Sequence, residues 1–127
     1  MKRFRGESGA AAVEFALIAT FLLIPLVVGI MEFSRAYNNQ ISLTSAAREG
    51  VRVMAIKNSA AEAKTATLEA APSLDPVLTD SEITVEPTDC TSGGRATVTI
   101  KYRMDFISGW FGTGIDLEGK GVMRCNG

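Results

Sequence analysis

The chain has 127 residues and a formal net charge of −1, and beyond its first five positions Lys and Arg are scattered, so it lacks the basic stripe of a nucleic-acid binder. It contains no histidine, which removes the commonest general base and the commonest metal ligand, and two cysteines alone make a poor metal site. Once a membrane-length apolar segment is set aside, about a hundred residues are left, enough for one small folded domain.

A basic leader, Met1-Lys2-Arg3-Phe4-Arg5, opens the chain, followed by Gly9-Ala10-Ala11-Ala12-Val13-Glu14-Phe15 at the mouth of a long apolar run. The seventeen residues 15–31 carry no charge, so residues 10–31 read as a transmembrane segment containing a single carboxylate, Glu14. An ionisable group inside such a segment costs about 2.5–3.5 kcal/mol at the bilayer centre and less near an interface, so it marks a functional site and calls for a partner. Lys2, Arg3 and Arg5 precede the span, whereas only Arg35 follows it closely. That asymmetry places the N-terminus in the cytoplasm and residues 32–127 outside, as a single-pass protein.

The helix is expected to continue past the membrane. Phe33, Tyr37, Ile41, Thr44, Ala47, Val51 and Met54 recur at threes and fours, and no proline interrupts residues 26–56. One helix over residues 10–57 would be ~70 Å long, far more than the ~30 Å hydrocarbon core needs. Its outer half is expected to pack on the chain's own sheet. Pro25 removes a backbone donor and predicts a kink within the span. Gly50 costs roughly 1 kcal/mol against Ala in a helix, which close packing of another element on its bare face would explain. Asn38-Asn39-Gln40 reads as a solvated patch just outside the bilayer.

Ser59-Ala60-Ala61-Glu62 has the form of a capping box and opens a second helix over residues 60–71, stopped by Pro72, with Lys57-Asn58 as the hinge. No stable element is expected from Pro72 to Asp80. The period then changes to two. Ile83 and Val85 form a short strand closed by Pro87, and residues 95–104 place Val98, Ile100, Tyr102 and Met104 on one face. A last strand over residues 115–125 sets Leu117, Gly119, Gly121 and Met123 on one side. The fold class is α+β: a long N-terminal transmembrane helix running into a small domain with a second short helix and a three-stranded antiparallel sheet, which needs a helix across one face.

Cys90 and Cys125 both fall in the part placed outside, where a lone pair forms a disulfide. Trp110-Phe111, in the apolar loop 107–112, is a candidate contact loop for a neighbouring subunit or the outer leaflet; tucking into the edge of the small core is the equal alternative. Gly93-Gly94 is a turn. No aspartate spacing fits a calcium loop, and no serine has a nucleophile-elbow context. The inventory points to a non-enzymatic protein with no cofactor, metal or small-molecule substrate.

The basic leader, Gly9, and Glu14 at the fifth position after it resemble the class III signal of type IV pilins. Glu14-Phe15-Ala16-Leu17-Ile18, Pro25 and Ala46-Ala47-Arg48-Glu49-Gly50-Val51-Arg52 narrow the resemblance to the TadE-like family of minor pilins or pseudopilins of the tight-adherence (Flp) pilus. It covers residues 6–53 strongly and the remainder weakly. The resemblance implies a leader over residues 1–9, cleaved between Gly9 and Ala10 by a membrane aspartyl prepilin peptidase. It implies pairing of Glu14 with a neighbouring subunit's N-terminal amine, and partnership with other pilin subunits, the pilus assembly platform and inner-membrane lipid. Cleavage would leave 10 basic and 13 acidic residues, a net charge of −3.

Two other readings fit parts of the chain. A bitopic anchored envelope protein with an exported binding domain would keep Met1, and Glu14 would only reach toward the headgroups. A secretory signal peptide could use Ser34-Arg35-Ala36 and release a soluble domain at Tyr37, but its apolar core would exceed the usual 7–15 residues.

Prepilin peptidases require a residue without a side chain before the scissile bond, so Gly9→Val is expected to enter the membrane with its leader attached. Mass spectrometry of the intact variant decides it. Normal loss of residues 1–9 would rule out the class III signal.

Overall fold

The computed structural model describes residues 7–126, so the basic residues 2, 3 and 5 of the leader lie outside the described residues. One helix, α1 (Glu7–Lys57), takes 51 of them. The chain divides into two compact units, Met1–Phe33 and Ser34–Gly127.

In the first unit α1 is apolar on every side. Phe15, Ile18, Phe21, Leu22, Leu26 and Ile30 are all exposed. A helix hydrophobic all round has no preferred face toward water, and α1 is long and apolar enough to cross a membrane. Pro25 lies inside it, and the chain stays helical on both sides.

The second unit holds the outer part of α1, helix α2 (Ala60–Glu69) and strands β1 (Ile83–Glu86), β2 (Arg95–Asp105) and β3 (Gly114–Arg124). The strands form an antiparallel meander in the order β1-β2-β3. Val85 faces Val98, Ile100 faces Gly119, and Tyr102 faces Leu117. Alternation sorts β2 as the sequence predicts: Ala96, Val98, Ile100, Tyr102 and Met104 are buried, while Lys101 and Arg103 are exposed. The core joins this face to Leu43, Ala46, Ala47, Val51 and Met54 of α1 and to Ala63 of α2.

Helix and sheet meet backbone to backbone. A Cβ at Gly119 would lie 2.6 Å from the Leu43 carbonyl oxygen, and one at Gly121 would lie 2.5 Å from that of Ala47. Only glycine fits at that spacing. Leu117, Gly119, Gly121 and Met123 lie opposite Tyr102, Ile100, Val98 and Ala96 and so share the expected side, with Leu117 half-buried and Met123 exposed.

The apolar stripe of α1 also needs correction. Ala47, Val51 and Met54 are buried, but Phe33, Tyr37 and Ile41 are exposed. The buried face is instead Leu43, Ala46, Ala47, Gly50, Val51, Met54 and Ala55. Small residues define it, because bulky ones would hold the sheet away. Gln40 departs from its expected role as a solvated residue: its Nε2 donates to the Glu118 carbonyl oxygen at 2.7 Å, pairing a group on the outer edge of β3.

Gly50 is where α2 crosses α1. A Cβ there would sit 2.0 Å from Thr67 Oγ1 and 3.1 Å from the Ala63 carbonyl oxygen. Thr67 is itself fully buried, and its hydroxyl donates to Ala63 O at 2.8 Å. Helix α2 is capped by Ser59, whose Oγ accepts from the Glu62 amide at 3.3 Å, while the Glu62 carboxylate is engaged with Lys57. It ends two residues earlier than expected, and Ala71 turns into the core. Asn58 closes α1 in the left-handed region, at φ 51°, with its amide donating to Met54 O. The 72–80 segment is fastened by Tyr102, whose hydroxyl donates to Pro76 O at 2.7 Å. Burial, reinforced by Asp75 and Glu82, holds that phenol's pKa above its ordinary value.

Gly50→Ala gains about 1 kcal/mol of helix propensity but overpacks the crossing, so a net loss of about 1–3 kcal/mol is expected. Adding Thr67→Ala should recover part of it. Thermal unfolding of the detergent-solubilised full chain checks both. A Gly50→Ala chain as stable as wild type would mean that α2 yields freely.

Candidate functional site

Four places carry the residues singled out by the sequence. The first is the start of α1. Gly9, Ala10 and Glu14 all lie on the helix and are exposed. A Cβ built on Gly9 meets nothing within 4 Å. Gly9 stands in the first turn of α1, and no packing among the described residues requires a glycine there. Glu14 is one turn further along, between Ala10 and Ile18 on its own face, and makes no ion pair or hydrogen bond with another described residue. Among the described residues, a glycine that no packing requires thus precedes a carboxylate that no side chain pairs.

The second place is the Ala46-Ala47-Arg48-Glu49-Gly50-Val51-Arg52 stretch, which the structure splits by face. Ala46, Ala47, Gly50 and Val51 are buried against β3 and α2. Glu49 and Arg52 face outward and pair through two hydrogen bonds, from Nε at 3.0 Å and Nη2 at 2.6 Å. The bonded guanidinium lowers the Glu49 carboxyl below its ordinary value. Half of the stretch is thus a packing seam and half a surface fork.

The third place holds Cys90 and Cys125, which are joined in a disulfide with Cα atoms 5.6 Å apart. It ties the segment between β1 and β2 to the end of β3. Around it the Cys125 amide donates to Gly94 O at 3.0 Å, the Asn126 amide to Ala55 O at 3.3 Å, and the Cys90 amide to Asn58 Oδ1. The bridge therefore stands beside the C-terminal end of α1.

Trp110 and Phe111 lie at the tip of the β2–β3 hairpin and are 60% and 53% exposed, so they do not tuck into the core edge. No signal in the sequence distinguished these alternatives, because an uncharged aromatic loop serves either. The Gln40 contact with β3 was also missed; a polar residue one helical turn before the buried face is its only trace.

Residues 9–52 match the family model described as TadE-like protein, the family to which the sequence features were likened. The match begins at Gly9, ends at Arg52 and lies wholly within α1. No curated protein and no solved structure matches the chain.

The bridge has a sequence separation of 35, and closing a loop of that size contributes about 3–4 kcal/mol in the chain-entropy account. Protein taken from its native membrane and denatured without reductant is expected to show no thiol labelling. Reduction should lower stability by roughly that amount. Full labelling of both cysteines before reduction would refute the bridge.

Proposed function

We propose, from the TadE-like character of residues 9–52, that this chain is a minor pilin or pseudopilin of a tight-adherence pilus, a structural subunit needed for pilus assembly and so for surface adherence. The observation that carries the reading is the pairing of an unneeded glycine with an unsatisfied carboxylate at the head of an apolar helix. Neither is engaged by a side chain among the described residues. A peptidase that demands a bare residue before the scissile bond, and a partner that supplies a cation, give each of them one.

The proposed sequence of events uses the chain's own groups. The basic leader holds the N-terminus in the cytoplasm while residues 10–31 enter the inner membrane, and the second unit lies outside. Cleavage after Gly9 frees the α-amine of Ala10, which is cationic near neutral pH. Glu14 lies on the same helix one turn away, and it pairs with the amine of a neighbouring subunit. In a poorly hydrated setting a carboxylate without a cation disfavours every other stacking register, so the charge selects position as well as adding attraction. The favourable dipole at the helix N-terminus adds ~0.3–1 kcal/mol, too little to offset the burial of a charge.

Close interfacial charge pairs couple by about 1.5–7 kcal/mol, and ~1.4 kcal/mol is a factor of ten in association. Glu14→Ala is therefore expected to insert, fold and lose its leader like wild type, while crosslinking to neighbouring pilins in the membrane falls at least about tenfold. A leader-cleavage blot run beside the crosslinking separates processing from assembly. Undiminished crosslinking and piliation would mean that the carboxylate only reaches to the headgroups, and the chain would then be read as a bitopic anchored protein.

A further inference from the structure

The β2–β3 hairpin ends in an uncharged stretch, residues 106–113, closed by the Phe106 amide donating to Thr113 O at 3.1 Å. Ile107 is 75% exposed, and the exposed Trp110-Phe111 pair stands between Gly109 at φ 66° and Gly112 at φ 110°. Large apolar side chains gathered at one exposed tip mark a contact surface, and Trp with its polar N–H on an apolar ring suits a boundary between oil and water.

The geometry of the second unit says where this tip lies. Descending β3 runs back along α1: Asn126 is at Ala55, Gly121 at Ala47, Gly119 at Leu43 and Glu118 at Gln40. At the base of the hairpin the Arg35 guanidinium donates to the Asp105 carbonyl oxygen at 3.4 Å. Arg35 is the second residue of this unit and the fourth after the apolar run ends at Met31. The hairpin tip therefore stands at the end of the unit where the chain arrives from the apolar segment, opposite the disulfide.

We propose that the 107–112 tip is a lipid-interface anchor, seating Ile107, Trp110 and Phe111 in the headgroup and upper acyl region of the membrane that residues 10–31 cross. The proposal rests on the membrane-spanning reading of α1. Lipid is favoured over a protein partner by this place at the end of the unit that the apolar segment joins in sequence and by the loop's lack of any charge. At the base of the tip Arg103 is held to Thr113 Oγ1 and to the Asp116 carboxylate, both at 3.0 Å, so its charge is balanced within the unit and the apolar side chains carry the immersion.

Because Trp110 is the only tryptophan, intrinsic fluorescence reports on this loop alone. The full chain is reconstituted into phosphatidylcholine–phosphatidylglycerol vesicles, with and without bromine on the upper acyl chain, and flotation verifies insertion. The expected result is blue-shifted emission that loses most of its intensity in the brominated vesicles and is little quenched by aqueous iodide. A Trp110→Phe chain carrying Ile107→Trp should be quenched in the same way. Inserted protein with equal intensity in both vesicles would overturn the proposal. So would a blue shift without bromine quenching that grows with the protein-to-lipid ratio, which would assign the tip to a second copy of the chain. Failure to float is a different result: it removes the membrane-spanning reading and the anchor with it.

Discussion

The second unit depends on how closely a helix can lie on a sheet. Two carbonyl oxygens of α1, at Leu43 and Ala47, occupy the space that side chains of β3 would fill, and Gly119 and Gly121 leave it open. Everything else in the unit follows from that distance. The buried face of α1 sets Ala46, Ala47 and Gly50 among Leu43, Val51 and Met54, and β2 adds Val98, Ile100, Tyr102 and Met104 from the sheet. Helix α2 uses the same device at Gly50 from another side. Such a seam gains its energy from close packing of backbone and methyl groups, and it tolerates added volume poorly.

Much of this architecture was legible in the sequence because the signals were periodic. The alternation in residues 95–104, Pro87 after a short strand and Ser59 before an alanine-rich run each name an element and an end. The glycines at 119 and 121 also appeared on the correct face. The stripe from Phe33 to Met54 failed because hydrophobicity was taken as the mark of burial. On this helix the sheet selects small residues, and the large apolar ones at 33, 37 and 41 face away. Gln40 was misread for a related reason: its contact is with a backbone oxygen 78 positions distant, and no local pattern encodes that. At the candidate site the residues were legible because Glu14 breaks a uniform apolar background. That no packing among the described residues requires Gly9 could be learned only from coordinates.

The family-matched segment serves two environments with one helix. Before Phe33 it presents apolar side chains in every direction; beyond Gln40 it presents a narrow face of small residues to its own sheet. The match ends at Arg52, before the strands begin, so the TadE-like character lies in the helix and its packing face. The sheet it carries is held by pairings internal to this chain, such as Arg103 with Asp116 across β2 and β3 at 3.0 Å.

The disulfide also gives the second unit a particular topology. Cys90 and Cys125 enclose β2, the hairpin tip and β3 in one covalent ring, and the exposed tip is its most accessible arc. A protease that cut the backbone between Ile107 and Gly112 would open the ring without releasing a fragment. The two strands would stay paired through eleven residues of antiparallel register, and after denaturation through sulfur alone. A nicked chain would run as a single species until it met a reductant.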